Sequence, residues 1–403
     1  MRHASVQDQP DAHCRVQGYA RQQSDLPFYC DPLKLFLLIW VVMLVSLSFH
    51  LTYVTYPSMG IPLLIFAVSI FSLLLGYSVS IAIMRRFSKP RESRSYAINI
   101  VRVRRINMAL CMICLLIIAF NWITQGPPPA FGDLSAYMTY GRLKQILFPV
   151  LSTITVDGFL DTSKTRRSFY AAFGLSWLMI YVTRGIVLVT ILQMFFVFSL
   201  RTSISKKRLY SVGLICLILA AFAGSASGNA RTPISVFMEY LQIRPQYFDW
   251  PMIYLWLISY ISIPFSNLCW VLDKIPFHGP TLSFLYPLLP SFWVPVDPHL
   301  AIHNDPRIID GASTYLMGYA LDFSYLGVFL ANFCLGIGCA WLKKYGGPRK
   351  MLVSAIFLAC LSFIFFDDFF SFLSTVIQIV IQIFVQRTCF TFEYPEDNKG
   401  IAA

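Results

Sequence analysis

Five arginines stand on the side of this chain where a membrane protein carries few: Arg142, Arg184, Arg231, Arg244 and Arg307. Lys and Arg collect in cytoplasmic connections by charge bias, so arginines on the far side need a chemical reason. A guanidinium is planar, permanently charged and forked, which suits phosphate and carboxylate oxygens. The chemistry indicated is binding of an anionic lipid headgroup or a pyrophosphate. Arg184 is the sharpest case. It stands in Thr183-Arg184-Gly185, at the tip between two apolar runs, with no acidic residue near it in sequence. An ionisable group at that depth marks a functional site, the alternative being a side chain that snorkels to headgroups. Arg231 follows a run of small polar residues (225–230) able to bring backbone N–H groups to a phosphate, and Arg244 comes soon after.

A proton acceptor is sought among His303, Asp305 and Asp322. His299 and His303 are four residues apart with Asp305 close by, a spacing that zinc can use on a helix. Pro298 and Pro306 break any regular helix there, and the glutamate of a zinc-protease motif is missing. A general base or a sugar-hydroxyl contact from His303 or Asp305 is the better functional reading, with plain loop structure as the alternative. Asp322 is carried to an apolar boundary among aromatic residues, where it serves as a desolvated acid or as a helix cap. The tyrosines and tryptophans nearby, Tyr315 among them, suit stacking on sugar rings and equally an interfacial belt. The ten cysteines lie mostly inside apolar runs, where a thiol acts as a small hydrophobe. Cys111 and Cys114 lack further ligands. No metal and no cofactor is expected.

These residues need a scaffold, and composition says which kind. The chain has 403 residues, 57% hydrophobic and 13% charged, about half the usual charged share of a soluble domain. Apolar runs of span length recur along it. The expected fold is all-α, a polytopic membrane protein of about ten spans. The net charge of +12 does not point to nucleic acid, because Lys and Arg cluster in short connections beside the apolar runs. Arg85, Arg86, Lys89, Arg91, Arg94, Arg102, Arg104 and Arg105 are the densest group, opposed only by Glu92. That density places the connection in the cytoplasm, against anionic lipid. Residues 1–34 read as a disordered cytoplasmic tail, 35–386 as one membrane domain and 387–403 as a second cytoplasmic tail. Within the domain, 224–322 is a far-side loop between the seventh and eighth spans. It holds eleven of the 23 prolines, and a connection this long usually carries function. Residues 252–272 are apolar over about the length of a span, though Pro264 interrupts them. With ten spans every basic cluster falls on one side, so this segment either lies flat or re-entrant on the far side, or pairs with 281–295 as a second crossing. The first is preferred.

The Thr183-Arg184-Gly185 tip, the single large late loop, and Thr314-Tyr315 followed by Asp322-Phe323 and Gly327 give the chain, over about 108–386, a resemblance to a family. It resembles the O-antigen polymerases, the Wzy-type oligosaccharide repeat unit polymerases. The resemblance implies a glycosyltransferase of lipopolysaccharide or related polysaccharide biosynthesis, in the bacterial inner membrane with both termini cytoplasmic. Its substrates would be undecaprenyl-pyrophosphate-linked glycans, joined at the periplasmic face. A chain-length regulator and a flippase would be its partners. Arg184, Arg231 and Arg244, with Arg142, would hold pyrophosphate, and His303, Asp305 or Asp322 would orient or deprotonate the acceptor hydroxyl. Fixed arginines can stabilise the leaving pyrophosphate without a metal. Three other readings stay open: an O-antigen ligase, a polysaccharide O-acyltransferase for which His50 lacks a clear arginine partner, and a lipid-linked sugar transporter.

Overall fold

The computed structural model describes residues 15–18, 28–87, 95–132, 140–141, 143–201, 211, 238–275, 279–289, 308, 313–345 and 350–393. Ten α-helices lie among them: α1 Pro32–Ser48, α2 Gly60–Phe87, α3 Ile100–Gln125, α4 Lys144–Gly158, α5 Lys164–Ile180, α6 Arg184–Arg201, α7 Met252–Lys274, α8 Met317–Tyr345, α9 Met351–Ser362 and α10 Leu373–Cys389. Four of them, α2, α3, α7 and α8, are long and apolar enough to cross a membrane; α1, α6, α9 and α10 are shorter apolar helices. The protein is a mostly helical, membrane-embedded bundle. The seventh span expected from sequence lies outside the described residues.

Local sequence sets the helix ends. Asp31 caps α1 by accepting from the Leu33 N–H at 3.0 Å, with Pro32 as the first helical residue, a position where proline's missing N–H costs nothing. Asn99 caps α3 through the Arg102 N–H at 3.0 Å. Gly126, with φ of 81°, ends α3 just before Pro127.

Two contacts organise the bundle. The first joins α2 to α8 at glycines: a Cβ on Gly76 would lie 2.1 Å from the Phe333 carbonyl oxygen, and one on Gly336 would lie 2.1 Å from that of Leu73. With so little apolar driving force between helices in lipid, close backbone approach and polar bridges do the joining. Here the bridge is Asn332, whose Nδ2 donates to Ser69 Oγ at 3.1 Å. The second contact surrounds α4. From Leu147 to Gly158 every residue of α4 is buried, because α3, α5, α6 and α10 all pack on it. Sequence makes α4 an ordinary span; the structure makes it a central post enclosed by protein, which is why it tolerates Ser152, Thr153, Thr155 and Asp157.

At one end of the bundle the chain makes a small antiparallel sheet in the order β1 (Arg15–Gly18), β2 (Ser95–Asn99), β3 (Phe390–Glu393). It joins the N-terminal segment, the basic α2–α3 connection and the C-terminal segment on one face. The tail that reads as disordered therefore contributes a strand, and the fold is not purely helical. β1 is four residues of backbone pairing supplied by a partner far away in sequence, so no local periodicity announces it.

Helix α7 covers 252–272 as one helix of 23 residues through Pro264. Both of its ends meet the same short connection between α1 and α2. At the start, Trp250 packs on Phe49 and the Arg244 N–H donates to the Leu51 carbonyl at 3.0 Å. At the end, Trp270 Nε1 donates to the Val54 carbonyl at 2.8 Å and the Tyr56 hydroxyl to Asp273 at 2.8 Å. The helix is thus fastened at both ends to that connection, and by length and composition it is also one of the four helices able to cross a membrane. Ser283–Leu288, inside the proposed partner crossing, is a single 3-10 helix.

Candidate functional site

Residues 363–372, between α9 and α10, hold the best-furnished polar group at the end of the bundle opposite the sheet. The stretch carries Asp367 and Asp368 between phenylalanines. The Asp368 N–H donates to Asp367 Oδ1 at 2.8 Å, and Ser371 Oγ donates to Asp368 Oδ2 at 2.5 Å. Burial pushes the Asp367 carboxyl up to about 7, and the neighbouring Asp368 charge adds to the rise. Burial pushes Asp368 up to about 6, opposed by its hydrogen bonds from Ser371 and Phe370. Carboxyls that titrate near neutrality can take and return protons at working pH.

Three distant segments converge on this turn. The first is the start of α6: a Cβ on Gly185 would lie 3.2 Å from Phe369 Cζ, so the first turn of α6, which begins at Arg184, meets the aromatic edge of this turn. The second is the lead-in to α8, where the Tyr315 N–H donates to the Ile364 carbonyl at 3.1 Å and the Tyr319 hydroxyl lies 3.5 Å from Ser371 Oγ. The third is α7, whose Tyr260 ring packs on Phe366 with centroids 5.3 Å apart.

Asp322 lies one turn along α8 from Tyr319 and is fully buried. Its Oδ1 accepts from the Thr281 N–H at 2.8 Å and the Thr281 hydroxyl at 2.5 Å, and its Oδ2 accepts from the Phe284 N–H at 3.0 Å. Both oxygens are engaged in holding the 279–289 segment, capping the 3-10 helix at Ser283–Leu288. That occupancy suits an anchor better than a base. Just beyond it the helix breaks at Ser324, with φ 51° and ψ −138°. The break brings the Tyr319 carbonyl oxygen to 1.9 Å from where a Gly327 Cβ would stand, so only glycine fits. Tyr315 is buried and its hydroxyl donates to Asn332 Oδ1, which gives this tyrosine a structural role.

Arg244 stands elsewhere, at the approach to α7. Its guanidinium lies over the Tyr53 ring, 5.4 Å from the centroid, and its Nε is buried without a partner among the described residues. The backbone pairing of Ile243 and Thr52 brings it next to His50, whose Nδ1 is likewise buried and unpartnered there. Of the remaining expected site residues, Arg142, Arg231, His303 and Asp305 lie outside the described residues, as do His299 and Arg307, and only the backbone of Arg184 is described. Among the described residues no group of three or more His, Cys, Asp or Glu could hold a metal ion.

Two features have only a faint sequence signal. Asp367 and Asp368 are a pair of acids enclosed by phenylalanines between two apolar runs. Asp157 is a single acid within an apolar run. Compared with protein-family profiles, with curated proteins and with solved structures, the chain matches none.

Proposed function

We propose that this chain is a membrane glycosyltransferase that polymerises undecaprenyl-pyrophosphate-linked repeat units of a surface polysaccharide such as O-antigen. One observation carries the reading. The segments on which the family resemblance rests, far apart in sequence, assemble around one acidic turn: Gly185 against Phe369, Tyr315 on Ile364, and Asp322 one turn from Tyr319. In the proposed reaction the acceptor hydroxyl attacks the anomeric carbon of the donor glycan. The bond to the lipid pyrophosphate breaks, and the hydroxyl proton passes to a carboxylate of the Asp367–Asp368 turn. Arg184 binds the departing pyrophosphate, a fixed charge that needs no solvent reorganisation during the step. Helix α7, lying along the outer connections, holds both substrates at the membrane boundary and limits their freedom.

In this reading the sheet end, with Arg102, Arg104 and Arg105 beside it, is cytoplasmic by the charge rule, and the acidic turn is periplasmic. Both termini are then cytoplasmic, in a bacterial inner membrane. Partners are membrane lipids, a chain-length regulator and the flippase that delivers the repeat unit. The deciding test is surface-polysaccharide banding in a strain lacking this gene, complemented with wild type or Arg184→Ala. Loss of the ladder with one repeat unit still capping the core supports polymerase. Polymer left on its lipid carrier, with no capped core, would make the protein a ligase instead.

A second reading, polysaccharide O-acyltransferase, is favoured by the apposition of Arg244 and His50. An unchanged ladder with acetylation lost in His50→Ala would select it.

A further inference from the structure

One turn in from the bidentate Arg104–Asp161 pair, at 2.7 and 2.9 Å, four helices bring polar side chains into the centre of the bundle. Asp157 on α4, Asn107 on α3, Ser199 on α6 and Gln382 on α10 are each fully buried. Neither Asp157 oxygen, neither polar atom of the Asn107 and Gln382 amides, and not the Ser199 hydroxyl has a hydrogen-bond partner among the described residues. Their levels agree. Asn107 is three residues along α3 from Arg104, and Asp157 is four residues before Asp161 on the antiparallel α4. The contacts of α6 with α4, Thr190 to Ser152 at 2.8 Å and Arg201 to the Phe159 carbonyl at 2.7 Å, put Ser199 at the level of Asp157. Gln382 faces Asp157 from α10, its amide in reach of the carboxylate but short of hydrogen-bond geometry, one turn in from the paired amides Gln378 and Gln193.

So many orphaned atoms in one place are not a packing accident. Leaving each unpaired costs about 1–3 kcal/mol, and buried polar groups in native proteins find partners, water included. The set contains donors, the two amide NH2 groups, as well as acceptors, so a bare ion would leave half of it unpaired; water serves both. The carboxylate needs more. A charge in the bundle interior must be compensated, and the nearest cations are otherwise committed: Arg102, which with Asp157 flanks Cys389, donates to the Thr388 carbonyl at 3.0 Å. Arg104 is held by Asp161, and Arg201 donates to the Phe159 carbonyl. Arg166 and Tyr170 on α5 belong to the Asp161 side, and Cys111 and Cys389 bring no positive charge.

We infer that Asp157, Asn107, Ser199 and Gln382 form a hydrated site inside the bundle that takes up one positive charge, a proton or a small alkali cation. The site is separate from the acidic turn and does not depend on the glycan chemistry proposed there. Its test uses the full chain in lipid nanodiscs, wild type against Asp157→Asn, a swap that keeps size and polarity. If a proton is bound, the wild type shows an infrared carboxylic-acid band that shifts in D2O and is lost in Asp157→Asn. If a cation is bound, Tm rises saturably with NaCl replacing choline chloride at constant ionic strength, and Asp157→Asn abolishes the rise. Wild type and Asp157→Asn alike in both measurements would overturn the inference. So would an Asp157→Leu protein as stable as wild type, the behaviour of a dry, sealed pocket.

Discussion

Replacing Asp322 with alanine separates an anchoring role from a catalytic one. The substitution removes the acceptor of three hydrogen bonds, those from the Thr281 N–H, the Thr281 hydroxyl and the Phe284 N–H. A buried donor left unpaired costs about 1–3 kcal/mol. Thr281 and Phe284 are only half-buried, so water recovers part of that and the low end applies, about 3 kcal/mol for the three. At about 1.4 kcal/mol per factor of ten, the 279–289 segment should open on the order of a hundredfold more often. Asp322→Asn keeps Oδ1 for Thr281 and loses only the bond from Phe284, so its cost falls to about 1 kcal/mol. Leu282 adds to the expectation: it sits at φ 58°, a strained conformation for a non-glycine residue, which the flanking bonds to Asp322 maintain. Amide hydrogen exchange on the nanodisc-embedded protein reads the opening segment by segment. Faster exchange should be confined to 279–289, clear in Asp322→Ala and slight in Asp322→Asn, with polysaccharide ladder length following the same order. If both variants abolish polymer while exchange stays at the wild-type rate, Asp322 touches substrate and the anchor argument is wrong.

The acidic turn sets a pH dependence with a definite sign. Asp367 and Asp368, at about 7 and 6, lie above the unfolded carboxyl value of about 3.9, so the unfolded chain sheds its protons first. Stability is then fullest below about pH 4 and declines as pH rises through about 6 to 7; Tm measured across that window should fall, and Asp367→Asn should flatten the curve. At the α2–α8 contact, Gly336→Leu forces a Cβ to 2.1 Å from the Leu73 carbonyl and 2.9 Å from the Tyr77 nitrogen. Backbone cannot yield as a side chain does, so the cost is about 3 kcal/mol, read as a lowered Tm; Gly60→Ala, with open space around it, should leave Tm unchanged.

The helical character and the apolar helices of span length were legible because each rests on patterns that are local and repeated. An apolar run of span length, a Pro-Gly stop or a lysine–arginine cluster declares itself within twenty residues. The misread parts depend on partners far away in sequence. β1 is four residues whose only reason to be extended is β2. Tyr315 looks like a surface tyrosine until Asn332, 17 residues further along and beyond a break at Ser324, takes its hydroxyl. Asp157 looks like an intruder in a lipid-facing helix until α4 is found enclosed on all sides. A sequence pattern states that a helix is apolar; it does not state whether lipid or protein surrounds it, and that difference decides which polar residues a helix can carry.

The same dependence on distant partners links the candidate site to the bundle beneath it. The Tyr315 N–H holds the Ile364 carbonyl at the edge of the acidic turn, its hydroxyl holds Asn332, and Asn332 holds Ser69 on α2. This runs from the turn into the contact where Gly76 and Gly336 bring α2 and α8 together. A loop fastened only by its own residues would drift relative to the first turn of α6, and in the proposed reaction a pyrophosphate site and a proton acceptor must keep their separation to within a fraction of an ångström. Fastening the turn through a buried tyrosine to the glycine contact of α2 and α8 supplies that rigidity. It also explains why the Thr314-Tyr315 motif can matter to the chemistry although Tyr315 presents no surface to a substrate.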